Sequence, residues 1–146
     1  MKTELPVDFI SAARRHYKDA CLLLTEGRNA NAGQLLGFSI ECGLKALLLA
    51  CGVKADAEGD IPSGKFRQHL PTLSERISAI DEATPDGRKT QSYMAKIPSL
   101  NHFSDWRIHH RYYRESEIPL TSLPAWERAA KEMNKLLDQI QLAEEM

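Results

Sequence analysis

The sequence predicts an all-α fold, an antiparallel bundle of four or five helices with a long irregular connection before the last one. Apolar residues recur every three or four positions in several long stretches, which is the period of a helix with one buried face. Glycine and proline stand between these stretches, and the intervals are too short to separate domains. The 146 residues are therefore expected to form one domain, 1–146, with a core that needs no disulfide or metal.

Two long helices begin the predicted bundle. Residues 8–26 place apolar side chains on one face, and Gly27 ends this helix because glycine adopts the left-handed C-cap conformation without steric cost. The second helix covers residues 32–51, with Asn29 or Asn31 as its N-cap. Polar residues interrupt its apolar run, so we expect a buried helix of a folded domain and no membrane span.

The second helix carries two apolar stripes, which predicts a central position in the bundle. One stripe consists of small residues, and Gly33, Gly37 and Gly43 each reduce helix propensity by roughly 1 kcal/mol. Such residues let neighbouring backbones come close together. We expect them to pack either within the chain or against a second subunit.

Three further helices complete the prediction. Thr72 and Glu75 stand at capping-box spacing near the start of the third helix. The Thr-Pro-Asp-Gly sequence at 84–87 is a turn signal that ends it. Ser122 and Pro124 mark the start of the last helix. The predicted ranges are 70–80 for the third helix, 88–97 for the fourth, 99–121 for the irregular connection and 122 onward for the last helix.

Composition and charge limit the kinds of ligand and the cellular compartment that are expected for this chain. The net charge is −1 with both signs spread along the chain, so any contact with a polyanion must be a local patch. Cys21, Cys42 and Cys51 lie in apolar helical patterns, and an odd number of cysteines suits a reducing compartment. The polar start of the sequence lacks the apolar core of a signal peptide, so we expect a cytoplasmic protein.

The densest chemistry lies at residues 105–114, here called the arginine-rich segment, which holds three arginines, two histidines and three aromatic rings. Arginine binds phosphate, histidine exchanges protons near neutral pH and aromatic rings stack on bases. In an extended conformation Arg107, His109 and Arg111 would share one face, opposite a partly packed face. The alternative is a solvated loop whose arginines pair with nearby carboxylates. The candidate ligand-binding residues are Arg107, His109, His110, Arg111 and Tyr112.

Other polar residues are expected to organise the fold. Glu41 and Lys45 stand four residues apart on the central helix, and if buried they need further polar partners. They either link this helix to the arginine-rich segment, together with Trp106, or form a plain surface ion pair. His69 is expected to cap or pack at the start of the third helix. No ordered metal-ligand or cofactor motif occurs, so neither a metal nor a cofactor is predicted.

An ordered series of motifs carries a family resemblance. Residues 19–27 follow the pattern "DA..LL..G", and residues 32–48 follow "A..L.G...E..LKALL". Downstream stand "HLPTL" at 69–73 and "W....RY" at 106–112. With these features the chain resembles the HEPN (higher eukaryotes and prokaryotes nucleotide-binding) domains over most of its length.

The resemblance implies a helical bundle that commonly forms homodimers. Many HEPN proteins are metal-independent ribonucleases of prokaryotic toxin–antitoxin or defence modules, while others bind nucleotides or support a partner nucleotidyltransferase. The nucleases carry an arginine followed four to six residues later by a histidine, and this chain has no such pair. The arrangements in this chain that come nearest to such a pair are Arg107 followed by His109 or His110, and the reversed order of His102 followed by Arg107.

Three functions remain open from the sequence. The leading hypothesis is a domain that binds RNA or a nucleotide through the arginine-rich segment, as the toxin or partner component of such a module. The second is a non-catalytic module that docks a nucleotidyltransferase or an antitoxin. The third is a ribonuclease with a rearranged pair, in which Arg107 and His109 are the catalytic candidates.

Overall fold

The computed structural model describes residues 4–145, and this part of the chain is helical without β-strands. The prediction of an all-α fold is confirmed. Four 3-10 helices lie between the fourth and fifth α-helices, at Pro98–Asp105, Ile108–Tyr112, Glu115–Glu117 and Leu120–Ser122. The α-helices are α1 (Phe9–Thr25), α2 (Asn29–Ala50), α3 (Thr72–Ser78), α4 (Pro85–Met94) and α5 (Leu123–Glu145).

Helix α2 is the centre of the bundle, as its two apolar stripes predict. It contacts α1 and α5 along its length and also touches α3, α4 and the 3-10 helix Ile108–Tyr112. By length and composition α2 could span a membrane, but 72% of its apolar window is buried inside the protein. That burial is what the core helix of a folded bundle requires.

The three glycines of α2 admit large side chains from the second half of the chain. A Cβ atom at Gly37 would overlap the indole of Trp106, and one at Gly33 would lie 2.9 Å from Cζ3 of Trp126. A Cβ atom at Gly43 would overlap the side chain of Met133 in α5. The small-residue stripe therefore packs within the chain and does not present a free surface to a second subunit.

Two helix starts differ from the prediction. Helix α2 begins at Asn29 itself, and its N-cap Arg28 makes no side-chain capping bond, so the asparagine cap was wrong. Helix α3 has Pro71 at its N-cap position and also lacks a side-chain cap. Thr72 is its first helical residue, one position too late for a capping box with Glu75.

The turn predicted at 84–87 is instead the start of α4. Thr84 is the N-cap, and its hydroxyl accepts a hydrogen bond of 3.0 Å from the Gly87 amide. Pro85 occupies the first helical position, where its fixed φ and missing N–H cost nothing. The same four residue types favour turns and helix starts, which explains the error in this boundary.

The connection before α5 is also more regular than predicted. It contains successive 3-10 helices, so the shared face expected for an extended segment at Arg107, His109 and Arg111 was wrong. Leu100, Phe103 and Trp106 recur every three residues and are all buried. Side chains three residues apart superpose in a 3-10 helix, so this spacing buries all three side chains together.

Replacement of Gly37 by alanine tests the close contact between α2 and Trp106. We expect G37A to lower the free energy of unfolding by about 1–3 kcal/mol, because overpacking against a buried indole outweighs the gain in helix propensity. Urea unfolding followed by circular dichroism measures it. The control is N31A at an exposed position of the same helix, which should not lower stability. An unchanged midpoint for G37A would contradict the packing of Trp106 on this glycine.

Candidate functional site

Trp106 fastens the arginine-rich segment to α2. Its ring is fully buried, and its Nε1–H donates a hydrogen bond of 3.0 Å to the carbonyl oxygen of Gly33. Phe38 packs edge-on against it, with ring centroids 5.9 Å apart. The side chain of Gln34 donates to the Ile108 carbonyl at 3.0 Å. The residues that follow Trp106 therefore begin from a fixed point on the central helix.

Asp105, the carboxylate nearest to Arg107 in sequence, forms its hydrogen bonds with other residues. One oxygen accepts a hydrogen bond of 3.0 Å from Trp126 Nε1, and the other accepts one from the Ser122 hydroxyl. These bonds hold the 3-10 helix Pro98–Asp105 against the start of α5. Asp105 is consequently a structural residue and leaves the neighbouring guanidinium groups unneutralised.

The three arginines of the segment are exposed and make no ion pair with any residue of the described range 4–145. Arg107 Nη1 donates to the carbonyl oxygens of Ser104 at 2.6 Å and Trp106 at 2.9 Å, which orients its guanidinium group. The Arg111 guanidinium lies 4.8 Å from the ring centre of exposed Tyr112. The alternative in which nearby carboxylates neutralise these arginines is therefore not what the geometry shows.

His110 differs from its neighbour His109. His109 is exposed, whereas His110 is buried and its ring centroid lies 5.2 Å from that of Tyr113. His110 Nδ1 accepts a hydrogen bond of 3.3 Å from the Arg107 amide. Burial, together with the positive charge of Arg107, lowers the pKa of His110. His110, one of the candidate ligand residues, thus lies in the interior. Its neutral ring accepts the hydrogen bond from the Arg107 amide that closes the turn at residues 107–110.

Glu41 is buried on α2, and both of its oxygens have partners. Oε1 accepts a hydrogen bond of 2.9 Å from the Leu70 amide, and Oε2 lies 3.2 Å from His69 Nδ1. Lys45 forms no ion pair with Glu41, and its Nζ lies 5.8 Å from the centre of the Phe9 ring. Glu41 therefore organises the segment before α3, not the arginine-rich segment as predicted.

A groove lies between the segment before α3 and the arginine-rich segment. Its volume is about 390 Å³, and its walls are formed by residues 68–72 with Glu75 on one side and by residues 107–109 on the other. His69, with 57% of its side chain exposed, therefore shares a groove with Arg107 and His109. Arg111 and Tyr112 lie outside this groove. We call it the His69–Arg107 groove.

Sequence reasoning missed that His69 and Arg107 line the same groove. The two residues are far apart in sequence, and no local pattern reports that they share a groove. One signal was available: Glu41 is a carboxylate inside an apolar helix, and a buried carboxylate requires hydrogen-bond donors from elsewhere in the chain. The "HLPTL" motif at 69–73 supplies two of these donors.

Within residues 4–145 no three His, Cys, Asp or Glu side chains converge in a way that would hold a metal ion. The titratable side chains that line the groove offer guanidinium, imidazole and carboxylate groups.

No protein-family model matches the chain, and neither the curated proteins nor the solved structures yielded a match.

The lowered pKa of His110 predicts a pH-dependent stability. The unfolded state takes up this proton near the ordinary value of 6.5, while the folded state takes it up only at lower pH. The free energy of unfolding should therefore fall as the pH drops below about 6.5. H110N, whose side-chain oxygen can still accept from the Arg107 amide, should show a smaller difference between pH 7 and pH 5.5 by urea unfolding. His16, whose pKa burial also lowers, accounts for part of the remaining dependence. An equal difference in wild type and H110N would refute the assignment.

Proposed function

We propose that this protein is a HEPN-like domain that binds RNA or a nucleotide, with a phosphate group held in the His69–Arg107 groove. The observation that supports the proposal best is the exposed guanidinium of Arg107, which has no ion-pair partner among residues 4–145 and lines the same groove as the exposed imidazoles of His69 and His109. Arginine donors form short, charge-assisted hydrogen bonds to phosphate oxygens. Because Ser104 and Trp106 already orient the Arg107 head, less side-chain freedom is lost when an anion binds.

The surroundings of the groove favour an extended ligand. Arg111 and Tyr112 are exposed just beyond it, and an aromatic face next to a cation suits a stacked base with its phosphate. Glu75 also lines the groove and repels phosphate, which restricts the anion to the side formed by Arg107 and His109. A polyanion would thus bind this local surface even though the net charge of the chain is −1.

The biological setting belongs to the same proposal and rests on the family resemblance alone. It is the toxin or partner component of a cytoplasmic toxin–antitoxin or defence module, with an antitoxin or nucleotidyltransferase as partner. Homodimers are common among HEPN domains, but the glycines of α2 pack within the chain and cannot form the dimer contact. A homodimer of this protein would use a different surface.

Replacement of Arg107 by alanine tests the phosphate contact. We expect R107A to weaken binding of a single-stranded RNA about 10- to 100-fold, the effect of removing one charge-assisted interaction. Binding by R107A should also depend less on salt: the slope of log K against log salt is negative, and its magnitude should be smaller by about 0.7 for each phosphate that the variant no longer neutralises. Fluorescence anisotropy at a series of salt concentrations measures both quantities.

The matched control is R88A, because Arg88 is exposed on α4 and its side chain has no polar partner among residues 4–145. R88A should bind RNA as the wild type does. Equal weakening by R88A and R107A would indicate general charge attraction and would remove the groove from the proposal. Binding by the wild type that does not depend on salt would argue against phosphate contacts altogether.

A further inference from the structure

A second cavity lies at the end of the bundle where α1 begins and where α2 and α5 end. Its volume is about 710 Å³, and none of its lining residues also lines the His69–Arg107 groove. Residues 4–10 form one wall, and the remaining lining residues are Ala46, Leu49, Gly59 and Glu144. We call this cavity the Leu5–Glu144 cleft. A ligand bound there would leave the proposed RNA site free.

The fold leaves apolar side chains accessible on the floor of the cleft. They include Leu5, Val7, Phe9, Ile10, Ala46 and Leu49. Leu5 is 51% exposed, and Phe9 and Ile10 are only partly buried. Accessible apolar surface with a polar border is typical of a binding site, because a partner that covers it releases the water held against it.

The wall formed by residues 4–7 is fixed to the rest of the fold. The Val7 amide donates a hydrogen bond of 3.1 Å to the Glu58 carbonyl oxygen. Gly59 allows this close approach, since its φ is +92° and a Cβ atom there would lie 2.8 Å from the Val7 carbonyl oxygen. The cleft is therefore formed before a partner arrives, which reduces the conformational entropy lost on binding.

Three carboxylates border the cleft. They belong to Glu4, Asp8 and Glu144, which are all exposed and form no ion pair with any residue of the described range 4–145. Within that range the lining contains no Lys, Arg or His residue. The Lys45 ammonium lies outside the lining, 5.8 Å from the centre of the Phe9 ring. The cleft thus combines an apolar floor with an acidic rim.

We propose that the Leu5–Glu144 cleft binds a basic amphipathic helix of a partner protein. The apolar face of such a helix matches the floor, and its lysine or arginine side chains oppose the three carboxylates. A partner strand is less suited, because residues 4–145 contain no β-strand with which it could pair. An anionic membrane surface would be repelled by the acidic rim.

Two other occupants fit the cleft less well. A small organic cation would need to be enclosed, whereas half-exposed Leu5 leaves the cleft open. A second copy of the chain would have to supply an apolar and basic helix, but α1–α5 direct their apolar faces into their own core. The charge and the open shape of the cleft therefore favour a separate protein as its occupant.

A labelled peptide made only of leucine and lysine, with its leucines spaced to share one helix face, tests the proposal. We expect wild type to bind it with a Kd of about 1–100 µM. L5D should bind it about 10-fold or more weakly because an apolar contact is lost, although the added negative charge alone would strengthen binding of a cationic peptide. The matched control L22D makes the same change at an exposed leucine of α1 outside the cleft and should bind at least as tightly as wild type. Fluorescence anisotropy measures binding, and circular dichroism verifies that each variant is folded.

The acidic rim has a test of its own. The double variant E4Q/E144Q should bind the leucine–lysine peptide about 3- to 10-fold more weakly, the effect of losing two solvent-exposed ionic contacts. Its control is E26Q/E82Q, which removes the same charge at exposed positions outside the cleft and should bind as wild type does. A peptide of leucine and glutamate with the same spacing should not bind wild type.

Three results would overturn the proposal. They are no binding of the leucine–lysine peptide by wild type at about 100 µM, equal affinity of L5D and L22D, and equal affinity of the two double variants. Sedimentation velocity on the protein alone examines the second copy. Self-association that L5D abolishes and L22D retains would assign the cleft to that occupant instead. Weaker binding by L5D and by E4Q/E144Q, with both controls unchanged, supports the partner helix.

Discussion

The insertion of the Trp106 indole into the gap above Gly37 is the contact on which the rest of the structure depends. A tryptophan buries roughly 150–250 Å² on folding, which corresponds to about 4–6 kcal/mol of hydrophobic stabilisation. The ring can reach this depth only because α2 has no side chain at position 37. Its bond to the Gly33 carbonyl then fixes the direction in which the chain continues toward Arg107.

A second connection begins on the same helix. Glu41 holds the His69–Leu70 segment, as Gly33 and Gly37 hold Trp106, so α2 determines the position of both walls of the groove. The distribution of carboxylates completes the arrangement. Asp105 bonds to α5 and Glu41 bonds to the segment before α3, and the Arg107 guanidinium forms no ion pair with any of residues 4–145.

Local patterns in the sequence were sufficient for the long helices and for the central position of α2, because apolar periodicity directly reports burial. They failed where two local structures compete for the same residues, as at Thr84, which caps α4 instead of starting a turn. The alternation of residues 106–112 placed His110 on the partly packed face, which agrees with its burial, although the set of candidate ligand residues still included it. The Glu41–His69 contact joins α2 to a distant segment, and only the folded chain reveals it.

The exchange rate of the Trp106 indole proton is the most direct test of this account. The sequence contains two tryptophans, so the W106F variant assigns the two indole signals in a nitrogen-15 NMR spectrum. A bond from Nε1 to the Gly33 carbonyl in a fully buried site predicts exchange with deuterated water as slow as that of amides in the middle of α2. Exchange at the rate of a solvent-exposed indole would show that the ring does not hold the arginine-rich segment on the central helix.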